Sequence, residues 1–218
     1  MSVFQLFLLM QFARLIPFLI GVSRWKKIDP TYKPFIVLLG LGLVNESISY
    51  LLIKVIGTNV IPFNVFQIVE CLVLLYQFRV WQFFRKNYYF YVAAGAFIAF
   101  WIIQNLVFGG LQNFYPYFRV FYAFTIVLII LNRIIYVANE NTNVFRNAKF
   151  IISSGLIIFF IYQILFEGAL IANTTVEEQE RNIFIKLLGF MDIMMNVIYI
   201  WAMYIAPGKR DFAWNKNI

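Results

Sequence analysis

Residues 87–109 read NYYFYVAAGAFIAFWIIQNLVFG and contain no charged side chain. An α-helix needs about 20 mainly apolar residues to cross the hydrocarbon core of a bilayer, and this stretch is long enough. It is too long for a strand of a membrane barrel, and it lacks the strict alternation of apolar and polar residues that such strands show. The stretch therefore predicts a transmembrane helix.

The rest of the chain has the same character. Of its 218 residues, 62% are hydrophobic and 13% are charged, whereas about a quarter of the residues of a soluble domain are charged. Turn signals such as Gly57-Thr58-Asn59 and Gly109-Gly110 separate the apolar runs. We predict an all-α, polytopic membrane protein with a single domain, 1–218, that is a bundle of seven transmembrane helices. Their predicted bounds are 2–22, 35–56, 60–83, 87–109, 115–137, 148–170 and 182–206.

The basic residues predict the orientation of the bundle. Most of the 18 Lys and Arg residues lie in the connections at one end of the predicted helices, and the connection 167–181 at the other end is acidic. Because cytoplasmic connections are enriched in Lys and Arg, we predict the N-terminus outside and the C-terminus in the cytoplasm. The net charge of +8 then belongs to the cytoplasmic rim, so no nucleic-acid partner is expected. The expected partners are the lipid bilayer and a protein in the same membrane.

Missing residue types exclude several kinds of chemistry. The chain has no histidine, which removes the commonest metal ligand and the usual general base. Its single cysteine, Cys71, excludes an intrachain disulfide and is expected to be a buried free thiol. Lys186 lies too near the end of its predicted helix to hold retinal and is expected to extend to the membrane interface. We therefore predict no metal, no cofactor and no catalytic residue.

Short motifs in the first three predicted helices resemble a known family. They are IGVSRWKKID at 20–29, Asn45-Glu46-Ser47 in the second helix, and NVFQIVE at 64–70 in the third. Together these motifs resemble a bacterial family of seven-helix inner-membrane proteins without assigned activity. The resemblance implies seven helices and a bacterial inner membrane, and it implies no reaction.

Four charged residues are predicted near the middle of the membrane: Arg14, Glu46, Glu70 and Asp192. A charge at the centre of an isolated helix costs about 2.5–3.5 kcal/mol on insertion scales, so these residues are expected to meet inside the bundle. We expect Arg14 to bridge Glu46 and Glu70, because the second and third helices form a hairpin. Asp192, with Asn196 one turn away, would then remain for a proton, a cation or a ligand.

Two interpretations of this midplane cluster stay open, interhelical hydrogen bonding and a ligand or ion site. For the whole chain we favour a non-enzymatic membrane module, either a ligand sensor or an assembly subunit of a larger inner-membrane complex. The alternative is a small carrier coupled to protons or cations. A lipid-modifying enzyme that uses carboxylates alone is a third hypothesis, and an enzyme is the less favoured class.

Overall fold

The structure, a computed structural model, describes residues 3–139, 144–172 and 178–209. Within these ranges the chain is helical and forms no β-strand. The helices are α1 Val3–Ser23, α2 Lys33–Ile56, α3 Val60–Val80, α4 Asn87–Ile102, α5 Tyr117–Asn139, α6 Ala148–Ala172 and α7 Glu178–Ile205. Among the described residues, six helices are long and apolar enough to cross a membrane, and a shorter apolar helical stretch, Leu9–Ser23, belongs to α1. The prediction of an all-α bundle with several membrane-spanning helices is confirmed.

The predicted helix bounds agree with the structure to within four residues, and the ends of the third and fourth helices have a local structure that was not predicted. The third helix ends at Val80 and not at 83, because Gln82 has φ +60° and turns the chain away from the helix. The fourth helix continues from α4 as a π-helical turn, Ile103–Phe108. This turn buries Gln104, whose Nε2 donates to the Tyr115 carbonyl at 3.0 Å and whose Oε1 accepts from the Phe118 N–H at 2.7 Å. Gln104 therefore joins the end of this helix to the first turn of α5.

The predicted hairpin between the second and third helices is present. Gly57 follows α2 with φ +77°, a left-handed conformation that glycine adopts without the steric cost of a Cβ atom. Its N–H donates to the Ile53 carbonyl at 3.1 Å. The chain then reverses through residues 57–59 and enters α3.

The helices pack in an order that brings the first and the last together. α1 packs against α2 and α7, and further close pairs are α2 with α3, α3 with α4, α5 with α6, and α6 with α7. Half of the twelve largest fully buried side chains are aromatic, including Phe35, Phe78, Phe97, Tyr122 and Phe160. The bundle therefore has a continuous apolar core, and α1 is held between α2 and α7.

The end of the bundle where α1 and α7 finish is closed by hydrogen bonds. The Arg24 guanidinium donates to the carbonyls of Met203, Tyr204 and Ala206, the last two at 2.6 and 2.7 Å. These carbonyls lie in the last turn of α7 and just beyond it, where they lack partners within the helix. Ile28 and Gly208 form an isolated bridge beside them. We call this the basic end, because its described connections carry Arg24, Lys26, Lys27, Lys33, Arg85, Lys86, Arg146 and Lys209.

We predict that Arg24→Met destabilises the fold by about 2 kcal/mol, because the carbonyls at the end of α7 lose charged donors. Arg85→Met is the matched control, since Arg85 is exposed and its predicted change is within about 0.5 kcal/mol. The measurement is the midpoint of thermal unfolding of the purified protein in detergent. Equal midpoints for the two variants would contradict the proposed role of Arg24.

Candidate functional site

Arg14 joins three helices through two ion pairs. Its Nη1 lies 2.5 Å from Glu46 Oε1 on α2, and its Nη2 lies 2.6 Å from Asp192 Oδ1 on α7. The exposed fractions of the three side chains are 17% for Arg14, 15% for Glu46 and 9% for Asp192. Because charge-assisted hydrogen bonds of this length are among the strongest in proteins, we treat these residues as one unit, the arginine clamp.

The backbone around the clamp is shaped to admit Arg14. A Cβ atom at Gly42, one turn before Glu46, would lie 2.7 Å from Arg14 Nη1. Only glycine therefore leaves room for the guanidinium in its present position. On α7, Asn196 Nδ2 donates to Asp192 Oδ2 at 3.1 Å and to the Asp192 carbonyl at 2.8 Å. The second oxygen of Asp192 is thus occupied as well.

The structure corrects the expected partners of Arg14. The pair with Glu46 is present, but the second carboxylate is Asp192 and not Glu70. The reason is the packing order, because α7 and not α3 lies beside α1. Asp192 is therefore not the free carboxylate that we expected. Whether these residues bind a ligand stays a prediction.

Glu70 has a neutral partner. Its Oε2 accepts a hydrogen bond from the Tyr122 hydroxyl at 2.6 Å, and the Tyr122 oxygen accepts a longer one from Gln163 Nε2 at 3.4 Å. Glu70, Tyr122 and Gln163 lie on α3, α5 and α6. The four predicted residues thus divide into the clamp and a separate Glu70 network.

Sequence reasoning missed a second ion pair. Arg119 Nη1 donates to Glu167 Oε1 at 2.8 Å, and the Arg119 guanidinium lies 4.5 Å from the centre of the Phe63 ring. Glu167 was assigned to an outer acidic connection, but it lies within α6 and is 0% exposed. The sequence did contain a signal for this ion pair: the two residues have opposite charges and lie near the ends of two consecutive helices that face each other.

A cavity of about 270 Å³ lies between the clamp and the end of the bundle opposite the basic end. We call it the distal cavity. Its lining extends from Asp192 and Glu70 to Asn59 in the turn between α2 and α3. Its charged and amide lining groups are Arg14, Asn45, Glu46, Asn59, Gln67, Glu70, Arg119 and Asp192, and its apolar side is formed by Met10, Phe63, Phe66, Phe159 and Leu188. A smaller cavity of about 60 Å³ lies on the other side of the clamp, beside Asn196 and Tyr199.

The side chains that line the distal cavity have a formal excess of negative charge. Its three carboxylates, Glu46, Glu70 and Asp192, face two guanidinium groups, and one of these, Arg119, is already paired with Glu167. Glu46 Oε2 is buried and has no hydrogen-bond partner among the described residues. Such atoms are costly to bury, so this surface is suited to a ligand that donates hydrogen bonds and carries positive charge.

Metal binding has no support from the arrangement of side chains. Within the described ranges, no group of three or more His, Cys, Asp or Glu side chains could hold a metal ion. Cys71 is a buried free thiol, and its Sγ donates to the Ile68 carbonyl at 3.2 Å. The cavity therefore offers carboxylate, guanidinium and amide groups for binding.

Comparisons with protein-family models, with curated proteins and with solved structures found no match to this chain. The class that the structure defines is a helical, multi-pass membrane bundle with a buried charged site. The family resemblance inferred from the short motifs stays a prediction.

We predict that Arg14→Met destabilises the fold most among single changes at the site, by about 3–5 kcal/mol, because it leaves two carboxylates buried without a cation. Asp192→Asn should cost about 1–2 kcal/mol, since an amide oxygen still accepts a hydrogen bond from Arg14. Glu70→Gln should cost least, because the amide oxygen still accepts from Tyr122. Thermal unfolding in detergent measures the order, with Arg85→Met as the control. A Glu70→Gln loss as large as that of Arg14→Met would refute the division into two networks.

Proposed function

We propose that this protein is a non-enzymatic, ligand-sensing membrane module in which the distal cavity binds a small polar ligand. The observation that carries the proposal is the cavity of about 270 Å³ whose inner wall is the arginine clamp. Its volume is close to the lower end of the range of small-molecule pockets, and it combines an apolar wall with a few polar groups. A cluster that served only to hold helices together would need no cavity of this size.

The position of the cavity favours sensing. A ligand in it would touch Arg14, Glu46 and Asp192, which are the groups that hold α1 between α2 and α7. Binding would therefore change the relative stability of helix arrangements that differ at this joint. Such a change could be passed to a protein partner in the same membrane. The assembly-subunit hypothesis needs the same partner but no ligand, and the cavity therefore favours the sensor.

We also propose a bacterial inner membrane, seven crossings including α1, and an N-terminus outside. The support is the concentration of Lys and Arg at the basic end, which would then face the cytoplasm. In this orientation the distal cavity lies in the outer half of the bundle. The ligand would arrive from outside the cell.

One observation favours the carrier as a second candidate. Glu70 is bonded to a neutral hydroxyl, so it could take up a proton without breaking an ion pair. A carrier also needs a route to the basic end, where Arg24 and the bridge between Ile28 and Gly208 close the bundle. The one-sided cavity therefore supports the sensor over the carrier, and a lipid-modifying enzyme has the least support.

We predict the orientation from single cysteines placed at exposed positions. Gln112→Cys, in the connection between α4 and α5, should react with a membrane-impermeant thiol reagent on intact cells. Lys86→Cys, at the basic end, should react only after permeabilisation. The unmodified chain is the control, because its Cys71 is buried. Labelling of Lys86→Cys alone on intact cells would reverse the orientation. Two further informative positions, Asn173 and Asn215, lie outside the described residues.

We predict that a small-molecule extract of the native cells and their growth medium raises the thermal midpoint of the purified protein, on the order of 5 °C at saturation. Glu70→Gln should reduce this rise, because it removes a charge from the cavity wall. Ser153→Ala is the control, since Ser153 is fully buried and lines neither cavity. No rise with the unmodified protein, or an equal rise in both variants, would refute ligand binding at this cavity.

A further inference from the structure

Gln67 lies in the wall of the distal cavity and has a buried amide without a hydrogen-bond partner among the described residues. The residue is 1% exposed, it lines the cavity, and neither its Oε1 nor its Nε2 has a hydrogen-bond partner among the described residues. Arg119 Nε is likewise buried without a partner, although Nη1 of the same side chain is paired with Glu167. The residues of the cavity wall therefore contain two buried donors without a partner among the described residues, Gln67 Nε2 and Arg119 Nε. They also contain two such acceptors, Gln67 Oε1 and Glu46 Oε2.

This combination excludes the simplest ligands. An inorganic cation would balance the carboxylates but would leave the two donors unused. An inorganic anion would use the donors but would add to the excess negative charge of the cavity. A neutral alcohol would leave that charge excess unchanged. Because buried polar groups need partners, the ligand should carry both an ammonium group and a hydrogen-bond acceptor.

The remaining wall of the cavity indicates the chemistry and the size of the rest of the ligand. Phe66, Phe159 and Leu188 form an apolar surface on the same cavity, which suits a hydrocarbon side chain. If one non-hydrogen atom takes up roughly the 30 Å³ of a water molecule, about 270 Å³ holds a ligand the size of a medium amino-acid derivative.

We propose that the distal cavity binds an α-amino amide with an apolar side chain. Its ammonium group lies against Glu46 and Glu70, and its carbonyl oxygen accepts from Gln67 Nε2 and Arg119 Nε. Its side chain packs against Phe66, Phe159 and Leu188. This chemistry is shared by free amino-acid amides and by the N-terminal residue of a peptide. The inference rests on the proposed function and names the ligand class of the same site.

Three matched probes test the proposal by calorimetric titration of the full chain in detergent. Leucinamide carries both groups, isopentylamine lacks the amide, and 4-methylpentanamide lacks the ammonium. Leucinamide should bind most tightly, and loss of either group should weaken binding by about tenfold or more. Equal affinities for the three probes, or binding of 4-methylpentanamide as tight as that of leucinamide, would overturn the proposal.

The variant Gln67→Met tests how much the Gln67 side-chain amide contributes to ligand affinity. The variant should bind leucinamide about tenfold more weakly and isopentylamine as the unmodified protein does, because only the first ligand uses Gln67 Nε2. It should remain folded, since methionine is of similar size and removes an unsatisfied buried amide. Ser153→Ala, which removes a buried unpaired hydroxyl away from both cavities, should bind both probes normally. An unchanged preference for leucinamide in Gln67→Met would overturn the assigned contact.

Two further comparisons identify the ligand source and separate the two proposals. Tighter binding of the tripeptide amide Leu-Ala-Ala than of leucinamide would indicate a peptide N-terminus, and weaker binding would indicate a free amino amide. If leucinamide does not bind but the cell extract still gives a shift that depends on Glu70, the ligand class is wrong and ligand sensing stands. If the extract also has no effect, both proposals fall.

Discussion

The pairing of Arg14 with two carboxylates from different helices is the constraint on which the rest of the bundle depends. A single guanidinium in the middle of a membrane is costly on an isolated helix, and the ion pairs with Glu46 and Asp192 remove most of that cost. The pairing requires α1 to lie between α2 and α7. Glycine at position 42 favours the pairing, because a Cβ atom there would lie 2.7 Å from Arg14 Nη1 and the guanidinium would have to shift. The helix order and the small residue at position 42 are thus both linked to the pairing of the Arg14 guanidinium with its two carboxylates.

The buried acidic residues have different partners. Asp192 is bonded through both oxygens. Glu167 is paired through Oε1 with Arg119, whose guanidinium lies over the Phe63 ring, and its Oε2 has no hydrogen-bond partner among the described residues. Among the described residues, Glu70 has only the Tyr122 hydroxyl as a hydrogen-bond partner, and Glu46 Oε2 has none. Both of these carboxylates line the distal cavity. The unbalanced part of the formal charge therefore lies beside the distal cavity.

Much of the helix pattern could be predicted from the sequence because bilayer thickness sets the length of an uncharged run. The four charged residues at middle depth could also be found by counting along each helix. The second partner of Arg14 could not be predicted, because the choice between Glu70 and Asp192 depends on which helix packs beside α1. The pair of Arg119 and Glu167 was missed because charges near helix ends are ordinary in membrane proteins. The spacing of Gln67 and Glu70 predicted that both lie on an inward polar face of the third helix, but the lack of a partner for the Gln67 amide could not be predicted, because it depends on the packed surroundings.

The contact between α1 and α7 has a consequence for how the chain is assembled on the ribosome. α1 is synthesised before every other described helix, and it carries Arg14 and Arg24. Glu46 follows with the next helix, so the first hairpin can enter the bilayer with one ion pair already formed. Asp192 and the carbonyls that bind Arg24 arrive only with α7. Biogenesis must therefore keep the α7-facing side of α1 accessible until α7 has been synthesised.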